Sequence, residues 1–138
     1  MRRPDWEERL HAYATDKVGK PFRWGSTDCG ALVRGAASAM YTGKPLGAFP
    51  SYRGRDALAE ALDAIGGVTA RLEESGATRA RSAFAQAGDI LILPGHDGSG
   101  LPRTGVMLNG GKVLTSLPGH GVYIGALDLS KAEAWRLP

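Results

Sequence analysis

Trp24-Gly25-Ser26-Thr27-Asp28-Cys29-Gly30 is the stretch whose reading decides the fold. Asp28 is of the residue type that caps a helix. From Cys29 to about Tyr41, Leu32, Val33, Ala36, Ala37 and Met40 recur at helical spacing, and Gly43 ends the pattern. A cysteine in the first turn of a helix meets unsatisfied backbone N–H groups and the positive end of the helix dipole, both of which favour a thiolate. Glycines on either side allow close backbone approach, and the same N–H groups can hold an oxyanion. Two readings of Cys29 stand side by side: a nucleophile, or a small apolar residue packed in the core.

Upstream, Asp5-Trp6-Glu7-Glu8 has capping-box form, and Trp6, Leu10, Tyr13, Ala14 and Val18 mark one helical face until Gly19 and Pro21 stop it. Downstream, a loop rich in Gly and Pro (43–54) leads to a third helix near Asp56–Ile65, with Leu58, Leu62 and Ile65 at helical spacing. The period then changes. Asp89–Leu93, Thr104–Leu108, Lys112–Ser116 and Val122–Leu127 read as short strands, with Asn109-Gly110-Gly111 as a hairpin turn that brings Thr104 roughly opposite Ser116. Ser130-Lys131-Ala132-Glu133 is a second capping-box pattern, so a closing turn of helix is expected over 130–136. Helices first and antiparallel strands later make an α+β fold, expected as one domain over 1–138: a helical part at about 4–66, then a sheet at about 88–127.

Composition narrows the function. With 138 residues the chain is of single-domain length, and 20 glycines without a collagen period point to many turns. One cysteine excludes an intramolecular disulfide framework. The longest aliphatic run, Ile90-Leu91-Ile92-Leu93, is far short of a membrane span, so no membrane insertion is expected. No apolar stretch follows Arg2-Arg3, so no secretion leader is expected, and the thiol belongs in a reducing compartment. Seventeen basic against fourteen acidic residues leave +3, without the dense basic stripe and interleaved aromatics of a nucleic-acid binder. Three isolated histidines and one cysteine do not have the spacing of a zinc site, and no phosphate-binding glycine loop is present, so no metal or cofactor is expected.

Trp24-Gly25, then Asp28-Cys29 opening an apolar helix, then Gly88-Asp89-Ile90 and the hairpin Gly105–Leu114 resemble the NlpC-type cell-wall peptidases over about 21–127. The resemblance implies a papain-like fold, N-terminal helices packed on a small antiparallel sheet, with Cys29 at the nucleophile position of a peptidoglycan-peptide hydrolase. A narrower likeness adds Pro21-Phe22-Arg23, Tyr41-Thr42-Gly43, Tyr52-Arg53 and Ala134-Trp135-Arg136: a short group encoded in the tail modules of phages and gene-transfer agents. That likeness implies a tail-tip protein, made in the bacterial host cytoplasm and carried in the virion. Its partners are then other tail-hub and tail-tip proteins, with peptidoglycan as a further ligand.

The sequence departs from the peptidases at the residues that move the proton. The catalytic histidine position aligns with Arg103, and the third polar position with Thr115. A guanidinium stays protonated at neutral pH and cannot take a proton from a thiol. A replacement base is limited to His96 in Pro94-Gly95-His96-Asp97-Gly98 or His120 in Pro118-Gly119-His120-Gly121, since His11 lies off the buried face of the first helix. Trp24 is read as a core residue or as the floor of a substrate groove shared with Asp28, Arg103 and Thr115. The function expected is a structural component of a phage tail tip with a degraded dyad. The alternative is a cysteine peptidase cleaving peptidoglycan stem peptides during genome entry. The loops Tyr41–Arg55 and Leu93–Arg103 are expected to stay out of the core and serve as contact surfaces.

Overall fold

Helix α2 (Cys29–Met40) is as apolar as its sequence requires, and the chain is built around it. In the computed structural model, which describes residues 1–96 and 99–138, Leu32, Ala36, Ala37 and Met40 of α2 are 0–1% exposed. The helix packs between α1 (Trp6–Lys17) and the sheet strands β3 (Pro102–Met107) and β4 (Val113–Leu117). Asp28 caps α2 as expected, accepting from Ala31 N at 3.0 Å. Asp5 does not cap α1: its carboxylate turns to Arg9 Nε at 2.9 and 3.0 Å, one turn along the helix. Helices α3 (Arg55–Ala64) and α4 (Val68–Glu74) follow.

The remaining strands are β1 (Thr78–Ala80), β2 (Ile90–His96), β5 (Gly121–Gly125) and β6 (Glu133–Arg136), and the antiparallel sheet runs β1-β6-β2-β3-β4-β5. The β3–β4 hairpin turns at Asn109–Gly111, where Gly110 and Gly111 hold φ of 76° and 74°, a region open to glycine without steric cost. Val106 pairs with Leu114 and Met107 with Val113, a register that carries Thr104 opposite Ser116 as the sequence indicates. One face of the sheet, with Ile90, Val106 and Trp135, packs on Val33, Ala36 and Met40. The other face, with Leu91, Leu93, Met107 and Val113, is covered by Ala85, Leu127, Leu129 and Ala132.

Residues 133–136 form β6, a strand, where a turn of helix was expected over 130–136. A seven-residue segment gains little from helix nucleation. As a strand it fills the gap between β1 and β2, burying Ala134 (0% exposed) on one face and Trp135 (4%) on the other. Its register also sets Arg136 against Asp89, the residue of the Gly88-Asp89-Ile90 motif. Arg136 Nε and Nη2 donate to the two carboxylate oxygens at 2.9 and 2.8 Å, and Gln86 N donates to one of them at 2.9 Å. The Gly-Asp motif at the head of β2 and the Ala-Trp-Arg motif at the C-terminus are thus two halves of one contact.

The loop after α2 departs from expectation too. Leu46 and Tyr52 are buried, and Arg71 Nη1 donates to Leu46 O at 2.7 Å and Ala48 O at 2.8 Å, so the segment is tied into the core instead of standing off it. In the second loop expected as a contact surface, β2 continues to His96, β3 begins at Pro102 and Leu101 is buried. Asp97 and Gly98 of that loop lie outside the described residues.

Candidate functional site

The approach to α2 is a latched turn. Arg23 O accepts from Ser26, Thr27 and Asp28 N at 3.0–3.2 Å, and Thr27 Oγ1 donates to Pro21 O at 2.6 Å. Gly25 sits in this turn at φ 86°, and any Cβ there would overlap the Tyr52 carbonyl oxygen. The glycine is required twice, by backbone conformation and by contact.

Asp28 is 1% exposed, and its carboxylate accepts from three donors: Gly25 N at 2.7 Å, Ala31 N at 3.0 Å and the Tyr52 hydroxyl, which lies 2.9 and 2.8 Å from its two oxygens. The Tyr52 oxygen accepts in turn from Arg34 Nη2 at 2.7 Å. The Arg34 guanidinium lies 4.2 Å over the Phe49 ring, a cation–π arrangement that holds it in place. Burial first, and then the Asp28 carboxylate, push the Tyr52 phenol well above the usual tyrosine range, so it remains an O–H donor. Both carboxylate oxygens of Asp28 are thereby committed to structure.

Cys29 is 5% exposed and donates its S–H to Pro102 O at 3.8 Å. It borders an apolar cavity of about 70 Å³ whose walls include Val33 from α2, Leu58 from α3, Leu72 from α4 and Ile90 from β2. Helices α3 and α4 therefore supply part of the wall of the cavity beside the thiol. Thr104 also lines this cavity, 4% exposed, with Oγ1 lacking a hydrogen-bond partner among the described residues. Among the described residues, no imidazole borders the cavity.

The aligned histidine position faces elsewhere. Arg103 pairs with Leu93, whose side chain belongs to the opposite face of the sheet, and its guanidinium is hydrogen bonded to the Tyr123 hydroxyl. A strand alternates its side chains, so a single residue decides the face: Thr104 looks toward Cys29, and Arg103 looks away. Thr115 is fully buried, and its Oγ1 donates to Thr104 O at 2.9 Å, a stitch between β3 and β4. Arg103 and Thr115 thus do not share a groove with Trp24 and Asp28. Trp24 is half-buried, packed edge-on against Phe22 at 4.8 Å, and it borders a surface depression with Tyr52 and Phe49 instead of the Cys29 cavity. His96 is exposed at the end of β2, opposite Pro102, and His120 is exposed in the β4–β5 turn with its backbone N–H on Leu117 O.

The Tyr52–Arg34 arm is the part of the site that sequence reasoning missed. A signal was available: Arg34 is the lone charged residue in a helix otherwise built of small and apolar residues. Gly30 lies four positions before it, where a Cβ would come within 3.3 Å of Arg34 Nη1.

Comparison with known proteins bears on the fold. RipD from Mycobacterium tuberculosis, a non-catalytic NlpC/p60 domain protein described as adapted to peptidoglycan binding, has a similar solved structure. The TM-score is 0.50 at 13% sequence identity, over 99% of this chain and 98% of that one. The likeness shows an NlpC/p60-like α+β fold. No curated protein matches the chain. Residues 1–137 match a domain family of unknown function, and the chain accordingly belongs to that family, DUF6950.

Proposed function

We propose that this chain is a single-domain, non-catalytic NlpC-like component of a bacteriophage tail tip, synthesised in the host cytoplasm and assembled into the virion. The observation that carries the non-catalytic part is the burial of Cys29: a thiol 5% exposed, bonded to a backbone carbonyl, beside an apolar cavity walled in part by Leu58 and Leu72. A thiol so buried meets a peptide carbonyl only through an opening of the surrounding structure. The tail-tip part is supported by the order and spacing of Pro21–Gly25, Asp28-Cys29, Tyr52-Arg53, Gly88-Asp89 and Ala134–Arg136. The structure gives these motifs architectural work: Gly25 packs on Tyr52, Tyr52 bonds Asp28, and Arg136 bonds Asp89. Tail-hub proteins are the partners on this reading, and a role for peptidoglycan as ligand is supported by the adaptation described for RipD.

Two measurements test it. Purified virions of a phage encoding the chain should contain it in the tail fraction by mass spectrometry; its absence there defeats the tail-tip assignment. Cell-wall zymography with the wild type and Cys29→Ala should show no clearing by either. Clearing lost on that substitution would replace the scaffold reading with a cysteine peptidase, with Cys29 as nucleophile and His96 or His120 as base.

A further inference from the structure

Two surface depressions, of about 340 and 270 Å³, meet at Arg34 and Phe49. Arg53 and Trp24 also line the first, and Lys44 lines the second. Among the described residues no acidic side chain lines either depression, although the chain as a whole carries 14 acidic residues against 17 basic ones. Asp28 lies behind Tyr52, but it is 1% exposed and occupied by three donors, so it does not offset the surface charge toward a ligand. The central cation is pre-set: Arg34 gives one N–H to Tyr52 and stacks on Phe49, and its remaining donors have no protein partner among the described residues. The floor is pre-set as well, because Arg71 ties Leu46 and Ala48 and the Asp28–Tyr52 bond ties the far end of the loop. A cation held in position loses little entropy on pairing, which is what makes guanidinium–carboxylate recognition selective.

We propose that this joined groove binds an extended acidic peptide segment of a partner protein. Carboxylates pair with Arg34, Arg53 and Lys44 in succession, and Phe49 and Trp24 receive the apolar side chains between them. Three cations spread over two depressions match several carboxylates in a row, which a lone small anion does not supply. The proposal goes beyond the tail-tip reading and does not depend on it.

The test is fluorescence polarisation of a dye-labelled hexaglutamate peptide against the full chain, with hexaglutamine of equal length as reference. Saturable binding of hexaglutamate and none of hexaglutamine is expected. Arg53→Glu and Lys44→Glu should each weaken binding about tenfold or more, and both lie on the exposed surface, so folding is preserved. Arg79→Glu on β1 makes the same change in net charge away from the groove and should leave binding within about twofold. Equal weakening by Arg79→Glu reduces the effect to net charge and overturns the proposal. So does binding of hexaglutamine, or tighter binding of soluble peptidoglycan fragments that survives Arg53→Glu and Lys44→Glu.

Discussion

The Tyr52 hydroxyl lies 2.9 and 2.8 Å from the two carboxylate oxygens of Asp28, across 24 residues of sequence. This contact joins the loop after α2 to the start of α2. It also settles what Asp28 is for: the residue beside the lone cysteine serves the architecture of the turn.

Tyr52→Phe tests that assignment. The substitution keeps the ring, 6% exposed and packed edge-on to Phe49 at 5.8 Å, but removes the donor to Asp28 and the acceptor for Arg34. Hydrogen bonds to charged groups are worth roughly 1.5–3 kcal/mol, so a loss of about that size is expected in urea unfolding at neutral pH. Asp28→Ala should cost more, because it also strands Gly25 N and Ala31 N. A neutral Tyr52→Phe would mean that water or another group satisfies Asp28 equally well.

Alkaline pH should unfold the chain through its buried phenols. Burial pushes the Tyr13 phenol up to about 12, and Tyr52 is raised in the same direction. An unfolded tyrosine ionises near 10, so above that pH the unfolded state sheds protons that the folded state keeps. The Tyr13 contribution is therefore fully present below pH 10 and is lost as pH climbs from there to about 12. Two units correspond to a limit of roughly 3 kcal/mol. Denaturant midpoints measured from pH 8 to 12 should fall along this window, and Tyr13→Phe should flatten the fall.

Arg136→Ala should destabilise the sheet by about 2–4 kcal/mol, because it leaves Asp89 buried without its cation. Gln86 N remains as a donor to Asp89, which keeps the loss below that of an isolated charge. Trp135→Ala, on the same strand and 4% exposed, should cost about 3–5 kcal/mol through the cavity it leaves. If Arg136→Ala instead proves silent in thermal melts, the link between the head of β2 and the C-terminal strand is not what holds β6 in place.

What the sequence made legible follows from where its signals are local. Helix α2 and its Asp28 cap could be read because five apolar positions and one capping residue act within a single segment. The β3–β4 hairpin could be read because its glycines force the turn. Strand β6 could not, since a strand inserted between β1 and β2 is chosen by partners more than 40 residues away, and the local capping pattern pointed to helix. Arg103 shows the same limit at the site. Alignment finds the position, but the pleat decides the face, and on this strand Thr104 is the residue turned to Cys29. The Tyr52–Arg34 arm is likewise a long-range pairing, visible in sequence as an unexplained charge within an apolar helix.

The thiol gives the most direct test of whether α3 and α4 close the site. Cys29 is 5% exposed, and Leu72 of α4, itself 2% exposed, forms part of the cavity wall beside it. A disulfide reagent such as DTNB reaches a sulfur in this position only through an opening of the surrounding structure. Native chain should therefore react at least ~100-fold more slowly than chain unfolded in guanidinium, since an opening costing about 3 kcal/mol or more admits the reagent less than 1% of the time. Leu72→Ala should cost about 2–5 kcal/mol and accelerate the reaction by loosening the wall. Phe84→Ala, at a side chain 66% exposed and remote from the cavity, should leave the rate unchanged. Reaction of the native wild type at the unfolded rate would mean that the cover opens freely, and the argument that burial disables Cys29 would fail with it.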